Sequence, residues 1–149
     1  MENKDYVSYE LAKKLKKCGF DEPCDHFYCA FDNETDVRFW SIQPAQSQNG
    51  LSTLKDTVVA DAPTLAHAQK WLREVFLLHV CANPVIPTRK WQFYIDDLNQ
   101  QINPYDGELM TRWDEDMQEK ADERLYDSYE QALSAGISAA LELIKPAHQ

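Results

Sequence analysis

Apolar residues along the chain recur mostly at helical or alternating spacing, and these two periods mark out its elements. The first helical stretch runs from about Tyr9 to Cys18. Leu11, Leu15 and Cys18 fall at i, i+4 and i+7, which is one stripe of an α-helix. Ser8 is a suitable N-cap, and Glu10 stands in the first turn, where the helix dipole favours an acid. Gly19 occupies the place of a C′ glycine, from which Phe20 can fold back on the stripe. A second helix is expected to start at Ala62-Pro63-Thr64, because a proline N–H would have had no partner in a first turn. Leu65, Ala68, Leu72, Val75 and Phe76 share its inner face, with Trp71 at the edge and Gln69, Lys70, Arg73 and Glu74 outside. The third helix spans Tyr129 to Lys145. Ser128 and Gln131 form a capping box, Leu133, Ile137, Ala140, Leu141 and Ile144 line one face, and Pro146 ends it. Gly136 inside this helix points to close packing against a neighbour.

Strands follow the shorter period. His26 to Phe31 alternates, with Phe27, Cys29 and Phe31 on one face. Val37 to Ile42 carries Val37 and Phe39 on one face and Trp40 and Ile42 on the other. Asp32-Asn33-Glu34-Thr35 between them is turn chemistry, so the pair is a hairpin. His79 to Ile86 and Trp91 to Ile95 form a second hairpin around Pro87-Thr88-Arg89, with Pro84 marking an edge or a break. The expected fold is α+β, in the order α-ββ-α-ββ-(α)-α. An antiparallel sheet of about four strands, made of the two hairpins, carries three main helices mostly on one face. The two helix–hairpin halves resemble each other, each with a His-bearing strand and a nearby Cys (His26/Cys29 and His79/Cys81). An internal duplication and chance similarity both account for this.

Two stretches break the pattern. Residues 43–61 form a polar insertion, long for a structureless loop, in which Leu54, Val58 and Val59 could add a short strand. Residues 96–126 are acidic. Within them Thr111 and Asp114 match a capping box, and Met110, Trp113, Met117 and Ala121 follow helical spacing, which predicts an extra helix at about 112–124. Its outer face would carry Asp114, Glu115, Glu119, Asp122 and Glu123.

Charge sharpens this picture. The net charge is −10, but it is not spread evenly. From Asp96 to Glu130 there are 12 acids against Arg112, Lys120 and Arg124, leaving the rest of the chain almost neutral. Such a segment repels a phosphate backbone, so direct nucleic-acid binding is not expected. The basic cluster Lys13, Lys14, Lys16 and Lys17 reads as the solvated face of the first helix. A chain of 149 residues is the size of one domain with its own core, and no apolar run reaches bilayer length. The N-terminus lacks a signal-peptide pattern, so a cytoplasmic protein with reduced thiols is expected.

Candidate chemistry is sparse. Cys24, His26 and Cys29, with Cys18 upstream, invite a zinc reading, but the spacing lacks paired CxxC units, and small buried thiols are the plainer reading. His26 or His79 beside Cys29 or Cys81 could imitate a Cys–His nucleophile, without supporting context. Asp114-Glu115-Asp116 cannot all reach one cation from consecutive helical positions. The glycines are too scattered for a nucleotide loop, and no cofactor is implied. Tyr28, Arg38, Trp40, Ile42, Trp91, Phe93 and Ile95 cannot all point inward if helices cover one sheet face. Either an exposed aromatic face with Trp40 and Trp91 marks a partner or homodimer surface, or the segments 43–61 and 96–111 cover it.

Three stretches carry a family likeness: SYELAKKLKKCGFDEPC from Ser8 to Cys24, APTLAHAQKWLR from Ala62 to Arg73, and SYEQALSAGISAALELI from Ser128 to Ile144. The chain resembles small uncharacterised proteins carried by phages, prophages and other mobile elements of gut Bacteroidetes. The resemblance implies a mobile-element context in a bacterial cytoplasm and no chemistry. Together with the acidic segment it leads to the expectation of a non-enzymatic protein-interaction module that binds a host or phage protein. A small Cys/His metal-binding or enzymatic module and an oligomeric structural phage protein are the alternatives.

Overall fold

A computed structural model describes residues 4–41, 58–98, 101–102, 109–110 and 124–144. The elements are α1 (Tyr9–Lys17), β1 (His26–Phe31), β2 (Asp36–Ser41), β3 (Val58–Asp61), α2 (Leu65–Val75), β4 (Leu78–Val85), β5 (Lys90–Asp97), β6 (Gln101–Ile102), β7 (Leu109–Met110) and α3 (Tyr129–Glu142). The class is α+β, and among the described residues every strand pair is antiparallel. The strands lie in three sheets, ordered β2-β1-β3, β4-β5 and β6-β7, so the two hairpins belong to separate sheets. The expected helix at 112–124 lies outside the described residues, as does the insertion at 43–61 up to the start of β3. Among the described residues no helix is long and apolar enough to cross a membrane. The described chain falls into two compact units, one ending at Ala66 and the other beginning at His67.

In the first unit, α1 is bounded as its sequence implies. The Ser8 hydroxyl accepts from the Leu11 N–H at 3.2 Å. At the other end the Phe20 N–H donates to the Leu15 carbonyl at 3.0 Å and the Gly19 N–H to the Lys16 carbonyl at 3.1 Å. This is a Schellman closure, and it requires Gly19 at φ +96°, a conformation that costs other residues a Cβ clash. Phe20 folds back and is buried with Leu15.

Strand β1 is buried on both faces, through Phe27, Tyr28 and Cys29. Alternation alone would have left Tyr28 outside. It is inside because its hydroxyl donates to the Val7 carbonyl at 2.6 Å, which satisfies the polar tip of an otherwise apolar ring. The segment holding Val7 is itself fixed: the Val7 N–H donates to the Pro63 carbonyl at 3.1 Å, and the Leu65 N–H to the Asp5 carbonyl at 2.8 Å. Pro63 and Thr64 are therefore extended partners of residues 5–7, and α2 begins at Leu65 rather than in the expected first turn at Pro63. Against β3 the register slips. Tyr28 faces Ala60 and Cys29 faces Val58, which leaves Val59 as a bulge residue.

The second unit takes up the chain within α2. Ala68, Trp71 and Leu72 are buried as the stripe requires, but Val75 is 55% exposed, because the helix ends there and the chain turns through Leu77 at φ +57° into β4. In the β4–β5 hairpin Leu78, Val80 and Ala82 oppose Asp97, Ile95 and Phe93, and α3 packs on both strands. A Cβ at Gly136 would stand 2.6 Å from Val80 Cγ1 and 3.0 Å from Phe93 Cβ, so the glycine sets how near α3 can lie. Pro84 does not break β4. Its partner Trp91 directs both its N–H and its carbonyl away to Tyr126, at 2.8 Å each, so Pro84 sits at a non-hydrogen-bonded pair where no N–H is needed. At the start of α3 the Gln131 N–H donates to the Ser128 hydroxyl at 3.1 Å. The Gln131 side chain receives the Asp127 N–H at 3.2 Å, one residue before the N-cap. The helix ends at Glu142, three residues short of expectation, with Ile144 still buried beyond it.

Gly136→Ala is expected to destabilise the protein by about 1–3 kcal/mol, the usual range for overpacking. That exceeds the gain in helix propensity of up to about 1 kcal/mol. Urea denaturation of Gly136→Ala, Val80→Ala and the double variant checks the cause. If the contact with Val80 is responsible, the double variant loses less stability than the two single losses combined.

Candidate functional site

The candidate residues sort by strand geometry before chemistry. His26 opens β1 and Cys29 lies three residues on, so alternation sends their side chains to opposite faces. His26 belongs to an aromatic cluster. Its ring stacks on Phe39 at 4.9 Å and 10°, and lies 4.5 Å from Tyr6. Its Nδ1 is buried and has no hydrogen-bond partner among the described residues. Cys29, on the other face, is fully buried opposite Arg38. Cys24 sits half-buried in the loop before β1, where its thiol donates to the Glu22 carbonyl at 3.4 Å. The trio of the zinc reading is therefore not brought together. Among the described residues no three His, Cys, Asp or Glu side chains converge as a metal site.

Thiol chemistry is opposed as well. Burial, followed by the charges of Asp61, Asp25 and Glu22, pushes the Cys24 thiol up to about 11. Cys81 lies two residues after His79 on β4 and shares a strand face with it. Burial and then Asp96 raise its pKa, with weaker opposition from hydrogen bonds to Tyr94 and Asn83. A nucleophilic thiol needs the opposite, a cationic setting that favours the thiolate. The Nδ1 of His79, like that of His26, is buried and has no hydrogen-bond partner among the described residues.

The aromatic surface is smaller than the sequence allows. Tyr28, Phe93 and Ile95 are buried. Among the described residues α3 packs on β5. Trp91 is half-buried, with its ring edge-to-face with Tyr129 at 5.5 Å. Trp40 is half-buried opposite Phe27 on β2, beside the exposed Arg38. Ile42 and the acidic residues Asp114, Glu115, Glu119, Asp122 and Glu123 lie outside the described residues. Of the acidic segment's flanks, Asp96 is exposed and Asp127 is paired with Lys90.

One concave feature escaped the sequence reading. A groove of about 260 Å³ runs between α1 and β3, lined by Ala12, Lys16, Phe20, Asp21 and Val58 to Asp61. Lys16 Nζ donates at 2.8 Å to the carbonyl of Val59, the bulge residue. Burial raises the Asp61 pKa, and the attraction of Lys16 offsets this only partly. Lys16 reads in sequence as one of four solvated lysines. Its partner is 43 residues away, and no local pattern announces it. At the opposite end of α1, Glu34 in the β1–β2 turn lies 3.5 Å from Lys13. Its carboxyl is held below the usual range, first by the nearby Tyr9 hydroxyl and then by Lys13.

No family model, no curated protein and no solved structure matches this chain.

Alkylation of Cys24 by iodoacetamide at pH 8 is expected to run about a hundredfold slower than in the unfolded chain, given an ordinary thiol pKa near 8.5. The rate should climb as pH approaches about 11. Peptide mass mapping over a pH series checks this. Fast, selective labelling at pH 7 would restore the nucleophile reading.

Proposed function

We propose that the chain is a non-enzymatic interaction module of a phage or mobile element, which binds a host or phage protein in the bacterial cytoplasm through its acidic segment. The concentration of charge carries this reading: 12 acids and three bases between Asp96 and Glu130, in a chain otherwise near neutrality. Such a surface attracts cationic partners and speeds their encounter, and it competes for sites on other proteins that bind nucleic acid. The environment of the thiols adds weight, since Cys24 and Cys81 are both held toward the neutral, unreactive form. The opposite faces taken by His26 and Cys29 count against the metal-binding alternative.

Affinity capture of host proteins on immobilised chain tests the reading, with the wild type beside a variant carrying Asp114→Lys, Glu115→Lys and Glu119→Lys. A specific partner should be retained at low salt, released as salt rises, and held at least about tenfold more weakly by the variant. Retention independent of both salt and the substitutions would remove the electrostatic contact. Native mass spectrometry of the purified chain is the companion measurement. Concentration-dependent assembly would favour the oligomeric alternative, and stoichiometric zinc the metal-binding one.

A further inference from the structure

We propose that the groove between α1 and β3 seats a single lysine or arginine side chain of a partner protein. Its volume of about 260 Å³ falls below the roughly 300–1,000 Å³ of small-molecule sites, so it suits one long side chain better than a free metabolite. The chemistry of the wall matches that shape. The half-buried Val58 and Val59, over the buried Ala12, Phe20 and Ala60, supply its apolar floor, and the exposed Asp21 and Asp61 stand beside it. Lysine and arginine are built the same way, an aliphatic stem that covers apolar surface and a cationic tip that seeks a carboxylate.

The charges lining the groove leave a place for that tip. The cation already in the groove, Lys16, is engaged with the Val59 carbonyl. Among the described residues, neither the Asp21 nor the Asp61 carboxylate has a hydrogen bond or an ion pair. Glu22 and Asp25 add negative potential nearby, since both act on Cys24 together with Asp61. Partial burial raises the Asp61 pKa against the attraction of Lys16, and a second cation beside it would act in the same direction as Lys16. An incoming anion would meet Asp21 and Asp61. A neutral side chain would leave Asp61 as it is. Its residues are other than those of the acidic segment, and the proposal goes beyond the reading given above.

The test is an NMR titration of the isotope-labelled full chain with a capped pentapeptide, Ser-Gly-Lys-Gly-Ser. The arginine version, a glutamine version and free 1,5-diaminopentane are the comparison probes. The expected result is saturable shifts centred on the amides of Phe20, Asp21 and Val58 to Asp61, at least tenfold tighter for the lysine or arginine peptide than for the glutamine one. Asp21→Asn with Asp61→Asn should abolish the response, with the fold verified by the unchanged remainder of the spectrum. Equal binding of the glutamine peptide, retention in the double variant, or no response to either cationic peptide overturns the proposal. Equally tight binding of the free diamine overturns it as well, because the site would then serve a small molecule. The Asp114→Lys, Glu115→Lys and Glu119→Lys variant should keep the response, so either reading can fail without the other.

Discussion

The structure depends on satisfying backbone polar groups along the edges of very small sheets. Sheets of two and three strands are nearly all edge, and each unpaired N–H or carbonyl removed from water is costly. The chain meets this demand mostly without adding strands. Lys16 takes the Val59 carbonyl, the Gln69 side chain donates to the Val80 carbonyl at 2.6 Å, and Tyr126 exchanges both its backbone groups with Trp91. Residues 5–7 do the same for Pro63 and Leu65. The groove is a product of this constraint. A helix lysine reaches across to the carbonyl of the bulge residue, and both residues line the groove.

How much of this could be read from the sequence depends on the range of the interaction. Caps and turns are local, and they were legible: Ser8, Gly19 and Phe20 bound α1, Ser128 caps α3, and Asp32 to Thr35 make the turn of the first hairpin. Helical stripes were legible where burial follows periodicity, as with Leu133, Ile137 and Ala140. Misreadings arise where a distant segment decides. Proline at position 63 has the right chemistry to open a helix, yet its carbonyl is held by Val7, 56 positions earlier, and the helix waits for Leu65. Tyr28 is drawn inside by the same distant segment, because Val7 offers its hydroxyl an acceptor.

The candidate chemistry shows the same division. Cys24, His26 and Cys29 are neighbours in sequence, and that proximity suggested a shared site. In a strand an odd separation places side chains on opposite faces, so the proximity of His26 and Cys29 is formal only. The groove has the reverse character. Its residues come from positions 12–21 and 58–61, each stretch ordinary alone, and the packing of α1 beside β3 unites them.

Gly136 also bears on how the second unit forms. A lone two-stranded hairpin is at best marginal in water, and a 14-residue helix is marginal too. A glycine in mid-helix weakens the helix further on its own. The same glycine permits the close approach to Val80 and Phe93 that neither element can replace. Helix and hairpin therefore have little existence apart and should assemble in one cooperative step. Amide hydrogens of α3 and of β4 and β5 would then share a single opening reaction, although about 30 residues of chain separate β5 from the helix.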